Sequence, residues 1–482
     1  MINPAKQELS EGIRLHLEGN LPEALACYSR ALNCSPDNPE ILLPIGAVLH
    51  DLDRYDEALA VYQRIMDLLP ASAALYHNRG NTLLALDRFE EAIDSYARAL
   101  ALTPEDAEAL VTMGTAFEQL GQYDAAMKCY EEALRRVPAC AEAHWNLALA
   151  LLRRGEYLRG WEEFGWRWQK KGYPTRWREF PAQLWDGRPL HGRIILIHAE
   201  QAFGDTIQFA RYLPLVASQG GKVVVECPQP LVPLLETIPD VYHAVPAGMT
   251  LPHFDIHLPL MSLPQLFGTT LETIPDQMPY LYPPQERLHR WQSLIGSKQR
   301  FRVGLVWAGR QKPDPHRTCR LSDLAPLANI RDAVFYSLQV GEGAEQAADP
   351  PAGMNVVDLT GNIVDFADTA ALIAQLDIVV SIDSAVAHLA GAMGKQTYLL
   401  LPFAPDWRWM LERKDSPWYP SMHIFRQCSF GCWSEPVENL ATALSALCPP
   451  DPDIDYRNSP HGSGESADPL SHLASGADNK TR

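Results

Sequence analysis

The chain has 482 residues, 46% of them hydrophobic, and a formal net charge of -18. That length exceeds a single core and predicts two or three domains, while the acidic balance excludes a general affinity for nucleic-acid phosphates or anionic membrane surfaces, which need a basic face. No apolar run reaches the ~20 residues that cross a bilayer, and residues 1–11 lack the basic and apolar blocks of a signal peptide, so a cytoplasmic protein without a membrane span is expected. Nine cysteines without a C-x-x-C pair fit a reducing compartment, and Cys428 with Cys432 lacks the further ligands of a zinc site.

The first predicted elements are repeats. Pro36, Pro70, Pro104 and Pro138 stand 34 residues apart. Ahead of each lies a small residue (Gly12, Gly46, Gly80, Gly114), then a second (Ala24, Ala58, Ala92, Ala126), then an aromatic (Tyr28, Tyr62, Tyr96, Tyr130). Tyr55, Phe89 and Tyr123 add a further aromatic just after the turn inside repeats two to four. These are the marks of the tetratricopeptide repeat: glycine and alanine let two helices approach, the aromatic fills the gap between them, and proline stops the second helix. Four repeats over residues 5–140 and a degenerate fifth predict an α-solenoid over 1–160 with a concave face for a protein or peptide. In the fifth, Trp145, Leu147, Leu151, Gly155 and Tyr157 are assigned to the first helix and Gly160, Trp161 and Phe164 to the second. Trp161, Trp166, Trp168, Trp177 and Trp185 then predict a cap and hinge over 161–190, with an aromatic sugar platform as the alternative.

From Gly192 the period changes to apolar runs at 194–197 and 223–225 with an amphipathic segment 206–218 between them. After a Pro-rich segment, 252–284, further runs fall at 303–307, 334–338, 378–381 and 397–401. This βαβ alternation predicts two Rossmann-like α/β halves, 191–290 and 291–448. Residues 449–482, rich in Pro, Ser, Gly and Asp, are expected to be disordered.

Four strand-end segments carry candidate chemistry. The first holds Glu200, Gln201, Gly204 and Asp205 before a helix expected near Thr206; Asp205 suits a general base on a hydroxyl and Gly204 a close backbone approach, or Asp205 simply caps the helix. The second runs from Asp383 through Ser384 to His388, where small residues open a helix whose free N–H groups suit a phosphate, Asp383 a sugar hydroxyl. Gly391 and Gly394 read as packing and termination. The third, a loop with Arg310, Lys312, Arg317 and Arg320, suits a departing diphosphate; the fourth, residues 402–409, suits stacking on a base or sugar, or core packing by its tryptophans. Walker A, H-E-x-x-H and G-x-S-x-G motifs are absent, and neither a metal nor a bound cofactor is expected.

The stretches 198–212, 303–309, 383–394 and 402–409, behind such repeats, resemble bacterial tetratricopeptide proteins fused to a heptosyltransferase-like glycosyltransferase. The resemblance implies a GT-B pair of Rossmann-like domains, acceptor on the N-terminal half and nucleotide-sugar on the C-terminal half. It implies Asp205 as catalytic base, Asp383, Ser384 and His388 as the donor motif, and Lys312, Arg317 and Arg320 as phosphate-binding cations. Glu200, Gln201 and Gly204 then form the acceptor loop. Ala202 and Ala385 stand where that family has glycine. The expected function is inverting, metal-independent glycosyl transfer, with the repeats recruiting an acceptor or partner protein. A non-catalytic scaffold with a degenerate transferase domain is the alternative.

Overall fold

The computed structural model describes residues 4–68, 72–298, 300–310, 315–330 and 332–448. Pro70, Lys312 and the tail 449–482 thus lie outside the described residues.

The repeats are helical hairpins: α1 (Pro4–Leu17) with α2 (Leu21–Cys34), α3 (Pro39–Asp51) with α4 (Tyr55–Leu68), α5 (Ala73–Ala85) with α6 (Phe89–Leu102), α7 (Ala107–Gln119) with α8 (Tyr123–Arg136), and α9 (Ala141–Arg154) with α10 (Tyr157–Phe164). A Cβ placed on Gly12, Gly46, Gly80 or Gly114 would lie 2.5, 2.2, 2.5 or 2.4 Å from Cε1 of Tyr28, Tyr62, Tyr96 or Tyr130. The tyrosine ring therefore occupies the space that a side chain on the facing helix would need. Ala24, Ala58, Ala92 and Ala126 are fully buried, and Pro36, Pro104 and Pro138 each follow the end of a second helix by two residues. In the fifth hairpin Gly155, at φ +84°, closes α9 and Tyr157 opens α10. These two residues belong to the turn and the second helix, not to the first helix as the repeat pattern suggested.

Two parallel sheets follow. The first contains β1 (Gln183–Leu184), β2 (Ile194–His198), β3 (Lys222–Cys227), β4 (Val241–Pro246) and β5 (Ile256–Pro259) in the order β1-β5-β2-β3-β4. The second contains β6 (Phe301–Val306), β7 (Ala333–Ser337), β8 (Val356–Val357), β9 (Ile378–Ile382), β10 (Thr397–Leu401) and β11 (Met422–Arg426) in the order β11-β10-β9-β6-β7-β8. The continuous apolar runs are the inner strands, buried on both faces. β5 was hidden in the Pro-rich segment, where it has only four residues and closes on Pro259, yet it pairs with β2. The segment 206–218 is not one helix: α11 (Phe203–Phe209) passes through a 3₁₀ turn, Ala210–Tyr212, to the short helix Leu213–Ala217. Pro214 has no N–H with which to continue the first helix and begins the second.

The helix Gln285–Ile295 is tied to the second sheet's helical layer, Trp291 Nε1 and Arg287 Nη1 donating to Asp368 at 3.1 and 3.0 Å. Between the sheets sits the end of the solenoid. Trp161 packs against Phe209 of the first half and Trp407 of the second, with ring centroids 6.5 and 5.4 Å apart, and donates Nε1–H to the Thr269 carbonyl at 3.0 Å. Trp418 donates to the Tyr157 hydroxyl at 2.9 Å. Among the cap tryptophans, Trp161 and Trp185 are core, Trp166 stacks on His144 at 3.9 Å, and Trp168 packs on Tyr173 and Trp177. Trp407 and Trp409, the tryptophans of the fourth candidate segment, are core residues too. Among the described residues no helix is long and apolar enough to cross a membrane.

Candidate functional site

The loop after β2 reaches α11 at Phe203, so Asp205 stands inside the first turn rather than before it. Its Oδ2 accepts the Ala202 N–H at 3.0 Å, capping the helix from within, and its Oδ1 accepts a hydrogen bond from Arg408. Burial pushes the Asp205 carboxyl upward, opposed by Arg408 and the Ala202 amide.

The loop after β9 places Asp383 at the strand tip and Ser384 at the N-cap of the helix Ala385–Ala392. Ser384 Oγ accepts the Ala387 N–H at 3.2 Å and lies 2.9 Å from Ser381 Oγ. It acts here as a helix cap, not as the open donor that the motif suggested. Burial, with the charge of Asp406 added, pushes Asp383 up to about 6 against the pull of Trp409, Arg317 and Arg408. His388 has Nδ1 2.9 Å from the Tyr419 hydroxyl, Nε2 3.9 Å from Asp383 Oδ1, and its ring stacked on Trp409 at 5.3 Å. Burial, and then Arg408, Arg211 and Arg317, lower its proton affinity far below that of a free histidine, so the imidazole is neutral.

These two strand-end segments meet across the seam between the sheets. A Cβ on Gly204 would lie 2.8 Å from His388 Cδ2. The open backbone at Gly204 is therefore filled by the imidazole rather than left for a ligand. Arg408, in the turn after β10, closes the cluster: Nη1 donates to Asp406 at 2.9 Å, Nε to Gln208, and Nη2 to Asp205. Burial opposes its charge, and Asp406 and Asp205 overcome that cost. Arg317 belongs to the same group, its Nε 2.9 Å from where a Gly309 Cβ would stand and its charge felt by both Asp383 and His388.

Glu200 and Gln201 are turned elsewhere. Glu200, only 2% exposed, accepts from Arg167 Nε at 2.8 Å, Arg167 Nη2 at 3.1 Å, the Tyr173 hydroxyl at 3.1 Å and the Met261 N–H at 3.2 Å. Gln201, at φ +57°, donates its N–H to Thr175 Oγ1 at 3.0 Å and Nε2–H to the Tyr173 hydroxyl at 2.9 Å. Both fasten the Trp-rich segment to the first sheet, because a buried carboxylate must be paired and Arg167 supplies the charge. Arg320 is exposed at the rim of a cavity of about 610 Å³ between the loops after β6 and β11, lined by Thr318, Arg320, Asp323, Phe430, Trp433 and Ser434.

Residues 334–400 match the model of glycosyltransferase family 9 (heptosyltransferase), and residues 12–53, 37–105 and 111–160 match tetratricopeptide repeat models. The chain joins tetratricopeptide repeats to a glycosyltransferase family 9 region. The family 9 match runs from β7 into β10 and contains Asp383, Ser384 and His388. Protein FlbA of Caulobacter vibrioides is 28% identical over 326 residues, covering 61% of this chain and 53% of its own length. The chain thus spans about half the length of that curated relative. Among solved structures, MamA is 26% identical over 32% of this chain and 91% of that one, with a TM-score of 0.30. TTC0263, a tetratricopeptide repeat protein from Thermus thermophilus, is 22% identical over 33% and 88%, with a TM-score of 0.31.

Asp383, Ser384 and His388 are thus joined by residues outside the matched span that reasoning from the motifs passed over. Arg408 stood within a candidate segment but drew no role; its signal was a cation flanked by two tryptophans, a pattern of buried arginines. Arg167 lies between Trp166 and Trp168 and follows the same rule.

Proposed function

We propose that the chain transfers a sugar from a nucleotide-sugar to an acceptor hydroxyl, with inversion and without a metal ion. The observation that carries this reading is the contact of Gly204 with His388, which packs α11 of the first half, with Asp205 next in the chain, on the helix Ala385–Ala392 of the second. Loops at the C-terminal ends of parallel strands are where α/β sheets take ligands. Asp205 accepts the proton of the acceptor hydroxyl; the oxygen attacks the anomeric carbon as its bond to the diphosphate breaks, and the diphosphate leaves with the electron pair. Arg317 beside Asp383, with Lys312 and Arg320 from the same loop, offsets that charge. The raised proton affinity of Asp205 suits a base, and Arg408 keeps it ionised until the acceptor enters. The cavity at Arg320 falls within the usual 300–1,000 Å³ of ligand sites, and we assign it to the donor nucleotide.

In this reading residues 1–160 recruit a protein acceptor or partner on their concave face, 161–190 join them to the transferase, 191–290 form the acceptor half and 291–448 the donor half. The place of action is the cytoplasm, in keeping with nine unpaired cysteines. The test is calorimetric titration with nucleoside diphosphates and nucleotide-sugars, on the wild type and on His388→Ala, together with a transfer assay on Asp205→Asn. Selective binding should be lost in the first variant; in the second, transfer should be lost and binding kept. A wild type that binds no nucleotide would be a scaffold. The ion pair that occupies Asp205 is the observation favouring that second reading.

A further inference from the structure

The turns inside the third and fourth hairpins lie against the second sheet's strand-end loops. Asp87 Oδ1 is 3.3 Å from His316 Nε2, the Phe89 ring meets Phe430 edge-on at 5.1 Å, and a Cβ on Gly121 would stand 3.2 Å from the Phe403 ring. Of the turn aromatics Tyr55, Phe89 and Tyr123, Phe89 alone is buried. Its partner Phe430 lines the 610 Å³ cavity, and His316, two residues from the cavity residue Thr318, also packs on Phe430, at 4.7 Å. Gln427, 4% exposed, ties the two loops together by accepting the N–H groups of Phe403 and Gly431 at 3.1 and 3.0 Å. A shift of the solenoid edge at Gly121 or Phe89 is therefore passed to the cavity wall.

We infer that the third repeat buttresses the wall of the nucleotide cavity from behind Phe430, with Asp87 and Phe89 as positioning residues, so that a protein held by the solenoid and a nucleotide held at Arg320 are thermodynamically coupled. The inference rests on the assignment of that cavity to the donor. Packed hairpins transmit curvature along a solenoid, and coupling between two sites is reciprocal. The repeats then act as a sensor built into the donor site as well as an arm for recruitment.

The experiment is calorimetric titration of the full chain with ADP, GDP, UDP and CDP, on the wild type, Asp87→Asn, Phe89→Leu and Phe89→Tyr, with melting curves alongside. Asn tolerates the left-handed backbone that Asp87 adopts at φ +58°. Asp87→Asn and Phe89→Leu should weaken the nucleotide that the wild type binds by about five- to tenfold at an unchanged melting temperature, and Phe89→Tyr, which keeps the ring, should restore it. Should Phe89→Leu melt early, Asp87→Asn, at a half-exposed ion pair, carries the comparison. Equal affinity in the wild type and both weakening variants overturns this inference alone. A wild type that binds none of the four overturns the donor assignment and this inference with it.

Discussion

Asp205 and Arg408, 203 residues apart in the chain, form an ion pair in the seam between the two sheets. The candidate base of the first half is thus held by the turn after β10 of the second. The same guanidinium reaches Gln208 and Asp406, so one side chain fixes the relation of α11 to the turn after β10.

Removing Arg408 should be costly. Arg408→Ala leaves Asp205 buried and unpaired, and breaking one partner of such a pair costs about 3–5 kcal/mol. Urea unfolding at pH 7 measures the loss, which should shrink as the pH falls and Asp205, its proton affinity raised by burial, takes up a proton. Arg408→Lys, with one point charge in place of a three-way fork, should recover little. Unchanged stability in Arg408→Ala would show that the pair is not formed.

Asp383→Asn should stabilise the protein while weakening nucleotide binding. The folded carboxyl titrates at about 6, above its ordinary 3.8, so its ionisation works against the fold. Stability is therefore lost as pH rises through the window from 3.8 to about 6, and above it the cost is complete. The neutral isostere should regain roughly 2–3 kcal/mol at pH 7 and nothing at pH 4. Denaturant midpoints at the two pH values test this, and an equal gain at both would refute it.

His198 should make the fold sensitive to acid. Burial first, then His257, Arg178 and Arg167, depress its titration to about 3 from 6.5. The unfolded chain consequently binds the proton first, and stability falls as pH drops below 6.5. One such histidine costs roughly 2 kcal/mol between pH 7 and 5. His198→Gln should flatten the profile over that interval, measured by urea unfolding; a parallel profile would exclude His198 as its source.

Gly80→Ala should destabilise the solenoid by about 1–3 kcal/mol, since the new methyl would sit 2.5 Å from Cε1 of the fully buried Tyr96. Pairing it with Tyr96→Leu, which opens the space, should make the second change cheaper in the Gly80→Ala background than in the wild type. Strict additivity in melting experiments would mean that the two residues do not meet.

The solenoid was legible in the sequence because its contacts are local and recur. Gly80 and Tyr96 lie within one hairpin, and their spacing returns in every repeat. The inner strands were legible for a related reason, since a strand buried on both faces must be apolar throughout. β5 and β11 were not, because one is four residues long and closed by proline and the other is an edge strand carrying His423 and Arg426.

The candidate site was half legible. Asp205 and the Asp383–His388 stretch announced themselves as strand-end motifs, but what each side chain touches did not. Glu200 sealed by Arg167 and His388 filling the space at Gly204 both depend on which loops the fold lays together. The sequence by itself determined the repeats, the inner strands other than β5 and the residue types at the strand ends, since these follow from periodicity and burial along the chain. Only the tertiary structure decided the pairing of Asp205 with Arg408 and of Phe89 with Phe430, because a contact between single residues hundreds of positions apart leaves no period to read.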